Sequence, residues 1–238
     1  NASNYTDEQP FSELPAPVEQ VVMLGAELRR EPQPIAHRGL LVAKTRDGVL
    51  HIASPDLPND PESRWEANEY QSDGVLASPD LRTSYWWFPD GKRVMHQGFA
   101  PALRTWNLSG LTRVKGRPTN VVLAPDGSQV LEWNAEGELT RIEPGDDDQL
   151  VASPVQHIGK PVSAGFSRFG LTHYIHDEAG QLHFFDRAGA LLSAALNGVA
   201  SVAHRPGRDD LAVVFQDGSL QLWSLWSARP ISDRLQTA

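Results

Sequence analysis

The chain has 238 residues, of which 40% are hydrophobic and 21% charged, with a formal net charge of -9 and no cysteine. That balance is too apolar for a disordered chain and supports a sizeable core. The missing cysteines exclude disulfides, thiolate metal sites and cysteine nucleophiles. The acidic charge, with no cluster of Lys and Arg, excludes a nucleic-acid partner, and the lack of a long apolar run excludes direct membrane insertion of this segment.

In chain order, residues 1 to 17 open on NASNYTDEQP, without an initiator Met or a signal peptide, and read as a loosely held arm or linker. The start has the character of a cleaved remnant, so the chain reads as a domain excised from a longer protein. Residues 17 to 30 suit either helix or strand. A β-rich segment, PIAHRGLLVAKTRDGVLHIAS, then runs from 34 to 54. Residues 55 to 80 are the longest interruption and carry Trp65 and Tyr70 outside the expected strands.

After this interruption the chain repeats a phrase. TSYWWFPDG at 83 to 91 is followed by TNVVLAPDG at 119 to 127. Aligned on that phrase, GKRVMHQGFAPALRTWNLSG (91 to 110) lies under GSQVLEWNAEGELTRIEPG (127 to 145). Further copies run from 161 to 189 and from 199 to 225, which makes five with the segment at 34 to 54. Each has β-branched and aromatic runs bounded by Gly, Asp and Asn, the mark of strands and hairpins.

The tight turns Asp47-Gly48, Glu136-Gly137, Ala179-Gly180 and Asp217-Gly218 suit two-residue type I′ hairpins. Fourth strands are expected at 112 to 116, 149 to 153, 191 to 196 and 229 to 235. Four-stranded units at this period predict an all-β propeller with at least five blades, a single domain over 18 to 238. Runs such as YWWF and LHFF are continuously apolar because a blade buries both its faces.

Here the chain resembles the WD-repeat propellers and their bacterial relatives, including the Tol-system type with its Ser-Pro-Asp-Gly turn, over about residues 34 to 235. Trp106-Asn107, Phe185-Asp186 and Trp223-Ser224 stand where that family has Trp-Asp, with Ile142-Glu143 and Ile52-Ala53 as weaker matches. The family's Gly-His pair is absent from every copy. The resemblance implies a rigid disc whose loops and edges bind proteins.

Chemistry-bearing motifs are few. A two-residue Ala179-Gly180 turn would set His176 opposite His183, close enough to share a metal ion, with His173 on the other face. Asp146-Asp147-Asp148 is an oxygen-rich loop without the ligand spacing of a calcium site. There is no G-x-S-x-G elbow and no phosphate-binding glycine loop. The expectation is therefore no catalytic residue, no cofactor and no bound metal. Trp65, Tyr70 and Trp226 remain as interaction anchors, because they fall outside the repeat grammar whereas Trp86, Trp87 and Trp133 fall within strands.

The functional expectation is a non-catalytic module that binds or scaffolds another protein. Two alternatives stand beside it: an extracytoplasmic domain of a bacterial transporter permease or sensor, and an enzyme or small-ligand binder using the central channel. Localisation stays open between the periplasm and the cytoplasm.

Overall fold

The structure, a computed structural model, describes residues 17–24, 40–46, 50–53, 66–68, 73–78, 83–97, 104–108, 117–146, 149–155, 159–204 and 208–236. All regular elements among them are strands, as the alternation of β-rich runs and Gly turns requires. The first sheet holds β1 (Val18–Leu24), β2 (Leu40–Thr45), β3 (Leu50–Ala53) and β4 (Glu66–Asn68). The second holds β5 (Gly74–Ala77), β6 (Thr83–Trp87), β7 (Arg93–Gln97) and β8 (Arg104–Leu108). The third holds β9 (Asn120–Leu123), β10 (Val130–Trp133), β11 (Leu139–Pro144) and β12 (Leu150–Pro154). The fourth holds β13 (Pro161–Phe166), β14 (Thr172–Asp177) and β15 (Leu182–Asp186). The fifth holds β16 (Val199–His204), β17 (Asp210–Phe215), β18 (Leu220–Ser224) and β19 (Arg229–Pro230).

Each sheet is an antiparallel meander in chain order, and successive sheets touch through β1 and β5, β5 and β9, β9 and β13, and β14 and β16. This is the stacked-blade arrangement of a β-propeller.

The repeated phrase spans two different strand positions. TSYWW is β6, a second strand paired to β5, whereas NVVL is β9, a first strand. Both are apolar runs ending in Pro-Asp-Gly, so the local pattern is the same and only the pairing partner tells them apart. The true counterpart of Asp217-Gly218 in the second sheet is Asp90-Gly91, and Trp106-Asn107 belongs to the fourth strand, β8, so His96-Gln97 takes the register place of Phe185-Asp186. In the first sheet Ala53, paired with Leu41, takes the place that Phe185 has opposite His173. The stretch from 55 to 80 is not an insertion, since β4 closes the first sheet and β5 opens the second.

The outer strands differ too. Residues 191 to 196 make two isolated bridges, Leu182 to Leu196 and Phe185 to Leu191, in place of a strand. The expected strand at 112 to 116 lies outside the described residues, and its role is taken by β8. β19 keeps only two residues before the chain returns to the sheet at Leu235.

The hairpin turns at Gly137, Gly180 and Gly218 also correct the expectation of type I′ geometry, while Asp47-Gly48 lies outside the described residues. In the turn after β14, the Gly180 N–H donates to the Asp177 carbonyl (3.1 Å) and the Asp177 N–H donates to the Gln181 carbonyl (3.0 Å). Phe88, Asn134 and Phe215 open turns of the same pattern. Only the glycine has positive φ (86°, 88°, 74° and 81° at Gly91, Gly137, Gly180 and Gly218), so these are type I turns closed by a glycine bulge.

That extra residue moves the register by one. The third and fourth sheets then present one face to the sheet before and the other to the sheet after. Tyr174, Leu182 and Phe184 meet Val199, Leu211, Val213 and Phe215 between the fourth and fifth sheets. Ile175 and Phe185 meet Leu131, Trp133 and Leu139 between the third and fourth. Tyr85 and Met95 meet Val130, Ile142 and Leu150 between the second and third.

Within the last of these interfaces lies a charged cluster. The Arg93 guanidinium, 0% exposed, donates from Nε (2.9 Å to Oε2) and Nη2 (2.9 Å to Oε1) to the Glu132 carboxylate, 1% exposed. The Tyr85 hydroxyl donates to the same carboxylate at 3.0 Å, and burial followed by the Glu132 charge pushes its pKa well up. A bidentate pair with a third donor is the geometry that offsets desolvation of two ions.

The fifth sheet breaks the pattern. β10 and β14 are buried at every residue, but β17 alternates. Leu211, Val213 and Phe215 are buried against the fourth sheet, while Ala212 and Val214 are half-buried on the opposite face. On that face Ala203, Ala212, Leu222 and Ile231 form one cross-strand row, and Val214, Leu220 and Leu235 form another. Leu222, Ile231 and Leu235 are 39%, 58% and 58% exposed.

Candidate protein-docking rim

In each sheet the turn from first to second strand and the turn from third to fourth strand lie at the same end, by antiparallel geometry. At that end of the fourth and fifth sheets, apolar side chains stand in solvent. Phe169 is 54% exposed and Leu171 37%, both in the turn between β13 and β14, and Trp226 is 53% exposed in the turn between β18 and β19.

Asp209, just before β17, ties the two turns together. Its Oδ1 accepts the Arg168 N–H at 2.8 Å, and its carbonyl accepts the Leu225 N–H at 2.7 Å. On its other side the Phe169 turn rests on the third sheet: a Cβ at Gly170 (φ 63°) would stand 2.6 Å from Asp126 Oδ1 and 2.8 Å from Ser128 Oγ. Asp126 is itself held by the Ser128 N–H and hydroxyl. Ala228 closes the Trp226 turn at φ 51°, a left-handed position that the corresponding turn of the fourth sheet gives to Gly189. Phe169 and Trp226 are therefore presented on fixed backbone, which lowers the ordering cost of binding. The Arg168 guanidinium lies 5.2 Å above the Phe169 ring.

Trp226 thus stands exposed at a sheet end, and Trp65 and Tyr70 lie outside the described residues. Phe169 is not among the anchors read from the sequence. The signal available was a large aromatic beside the Gly of a polar turn. Trp86 and Trp133 are buried, as their strand positions imply.

The histidines do not assemble a metal site. The register sets His176 opposite Leu182 and His183 opposite Ile175, so His183 shares a face with His173 and His176 takes the other. This reverses the expected pairing, and the glycine bulge at Gly180 is the cause. His176 Nε2 is 3.3 Å from the Val199 carbonyl, across the interface with the fifth sheet. His183 Nε2 is 3.6 Å from Asp177 Oδ2 within the interface with the third. No group of three metal-ligating side chains is present among the described residues. Of the acidic loop, Asp146 is an exposed turn residue, and the other two aspartates lie outside the described residues.

His173 is fully buried, stacked on Phe185 at 5.1 Å, and neither ring nitrogen has a hydrogen-bond partner among the described residues. Burial first, then the Arg141 charge, lowers its pKa to about 4. Well above pH 6.5 the ring is neutral folded or unfolded, so it adds no pH dependence there. Below that the unfolded chain takes up a proton that the folded chain refuses until about pH 4, so stability falls across this window. His173→Phe keeps the stack and removes the titration. Urea midpoints between pH 7 and 5 should then fall less steeply, by up to about 1.4 kcal/mol per pH unit.

The fold is that of a β-propeller, with exposed aromatic side chains at one end of its fourth and fifth sheets. A search of protein-family models finds no match, and a search of curated proteins finds none either. Among solved structures the chain is similar to Sqt1 of Chaetomium thermophilum. Two crystal structures of it match with a TM-score of 0.52 at 18% and 19% identity, covering 83% of this chain and 56% of the other. A third, of Sqt1 bound to the N-terminus of the ribosomal protein L10, matches with a TM-score of 0.52 at 18% identity, covering 83% and 58%. The chain therefore spans little more than half the length of these neighbours, and at such identity the likeness shows the fold alone. It agrees with the WD-type resemblance and gives no support to the Tol-system one or to the transporter and sensor readings. No helix among the described residues is long and apolar enough to cross a membrane.

Proposed function

We propose that this chain is a non-catalytic propeller that docks a protein partner at the rim formed by its fourth and fifth sheets. The observation that carries the reading is the pair of half-exposed aromatics, Phe169 and Trp226, on turns fixed by the same Asp209. Aromatics held on rigid backbone are the usual energetic centre of an interface, because they cover much area at little entropic cost. The Sqt1 structure with a segment of L10 supports the reading by example, since a propeller of this fold accepts the end of another protein. It does not carry the partner over. Trp65 and Tyr70, outside the described residues, are retained as proposed interaction residues.

The test is paired. Trp226→Ala, and separately Phe169→Ala, should leave the melting temperature within about 2 °C of the parent, as exposed substitutions do. Each should reduce capture of natural partners from a lysate by about tenfold or more, the scale of an interface hot spot. A melting temperature lowered by several degrees would show that these rings support the fold, and unchanged capture would remove the rim from the function.

A further inference from the structure

We infer that the rim recognises an acidic segment in which a carboxylate stands beside an apolar side chain. This rests on the docking reading and assigns its partner a chemistry. The chain as a whole is acidic, at -9, so its average field favours a basic partner. The rim departs from that average.

Arg168 flanks Phe169, Arg208 flanks Asp209, and Arg229 follows the Trp226 turn; all three are exposed. None of the three forms an ion pair among the described residues. Three carboxylates share this surface, and Asp126, beneath Gly170, accepts the Ser128 N–H and hydroxyl. Asp209 accepts the backbone N–H of Arg168 and so is engaged in holding the turn. Asp210 is exposed at the start of β17, opposite Ser224.

Arg168 has the decisive geometry. Its guanidinium carbon lies 5.2 Å from the centre of the Phe169 ring, a cation–π contact that attracts the charge without using its N–H donors. A guanidinium placed there, with no ion pair among the described residues, suits bidentate capture of a carboxylate, the strongest of the common charge-assisted pairs. A carboxylate held there places its neighbouring side chain over Phe169 and Leu171, with Trp226 across Asp209. A lysine would supply charge without the planar fork or the stack.

Fluorescence anisotropy tests this on the full chain with three labelled probes: a short capped peptide of glutamates flanking a phenylalanine, its lysine counterpart, and an oligouridine. The acidic peptide is expected to bind, with affinity that falls as salt rises. Arg168→Glu should weaken it by about tenfold or more, and Arg168→Lys should also weaken it, because charge alone is not enough. A thermal melt of both variants confirms that the fold is retained. Binding of the lysine peptide or the oligouridine to the same degree overturns the inference, as does acidic-peptide binding that ignores Arg168→Glu. If the acidic probe fails while Trp226-dependent capture persists, the assigned chemistry is wrong and the docking reading stands. If both fail, both fall.

Discussion

Glu132→Ala is expected to be among the most damaging single substitutions in the described core. It removes the carboxylate that takes two N–H groups of a guanidinium 0% exposed, and it takes from the Tyr85 hydroxyl the acceptor it has there. Breaking one side of a buried pair costs about 3–5 kcal/mol, because the remaining charge stays desolvated. For a chain of this size that corresponds to a fall in melting temperature of roughly 10 °C. Arg93→Met should cost a similar amount for the converse reason. Replacing both residues, Arg93→Met with Glu132→Leu, should recover much of the loss, since apolar side chains of like volume fill such a site without a charge to desolvate. Tyr85→Phe should cost only about 1–2 kcal/mol, one hydrogen bond to a charged group. Denaturant midpoints of the four variants check the ranking. A double variant no better than either single one would mean that the pair itself, and not the orphaned charge, sustains the contact between the second and third sheets.

The second expected result compares two residues with the same place in successive sheets. Phe184 on β15 and Leu222 on β18 occupy matching register positions, opposite Tyr174 and Ala212. Phe184 is 0% exposed beneath the fifth sheet and stacks on Trp223 at 5.7 Å, while Leu222 is 39% exposed. Phe184→Ala should therefore cost about 3–5 kcal/mol, as truncation of a buried aromatic does. Leu222→Ala should cost less than about 1 kcal/mol, because most of its contact is already with water. Urea denaturation of the two variants provides the measurement. Equal losses would show that the outward face of the fifth sheet is covered in solution.

Much of the architecture follows from the sequence itself. A strand buried on both faces has to be apolar at every position, and YWWF and LHFF announce that. Gly137, Gly180 and Gly218 mark the hairpins because a backbone at positive φ excludes nearly every other residue. The period of the copies then calls for stacked four-stranded units, and four of the five described sheets have four strands, the fourth sheet having three. Trp133 in a strand and Trp226 outside one were separable on the same grounds, and they are buried and exposed accordingly.

Other features were decided only when strands chose partners. The phrase shared by β6 and β9 is equally good at either strand position, so the chain text could not tell a second strand from a first. Whether a glycine turn has two residues or carries a bulge changes register by one, and that single step moved His183 away from His176 and onto the face of His173. The Arg93–Glu132 pair joins residues 39 apart in different sheets, a distance over which no local pattern operates. The rim is of the same kind: Phe169 and Trp226 lie in separate copies, and packing of the fourth sheet on the fifth, with the two hydrogen bonds to Asp209, brings their turns together. Periodicity and backbone sterics are properties of a segment, and a sequence displays them; register and sheet-to-sheet contact are properties of pairs of segments, which only the tertiary structure decides.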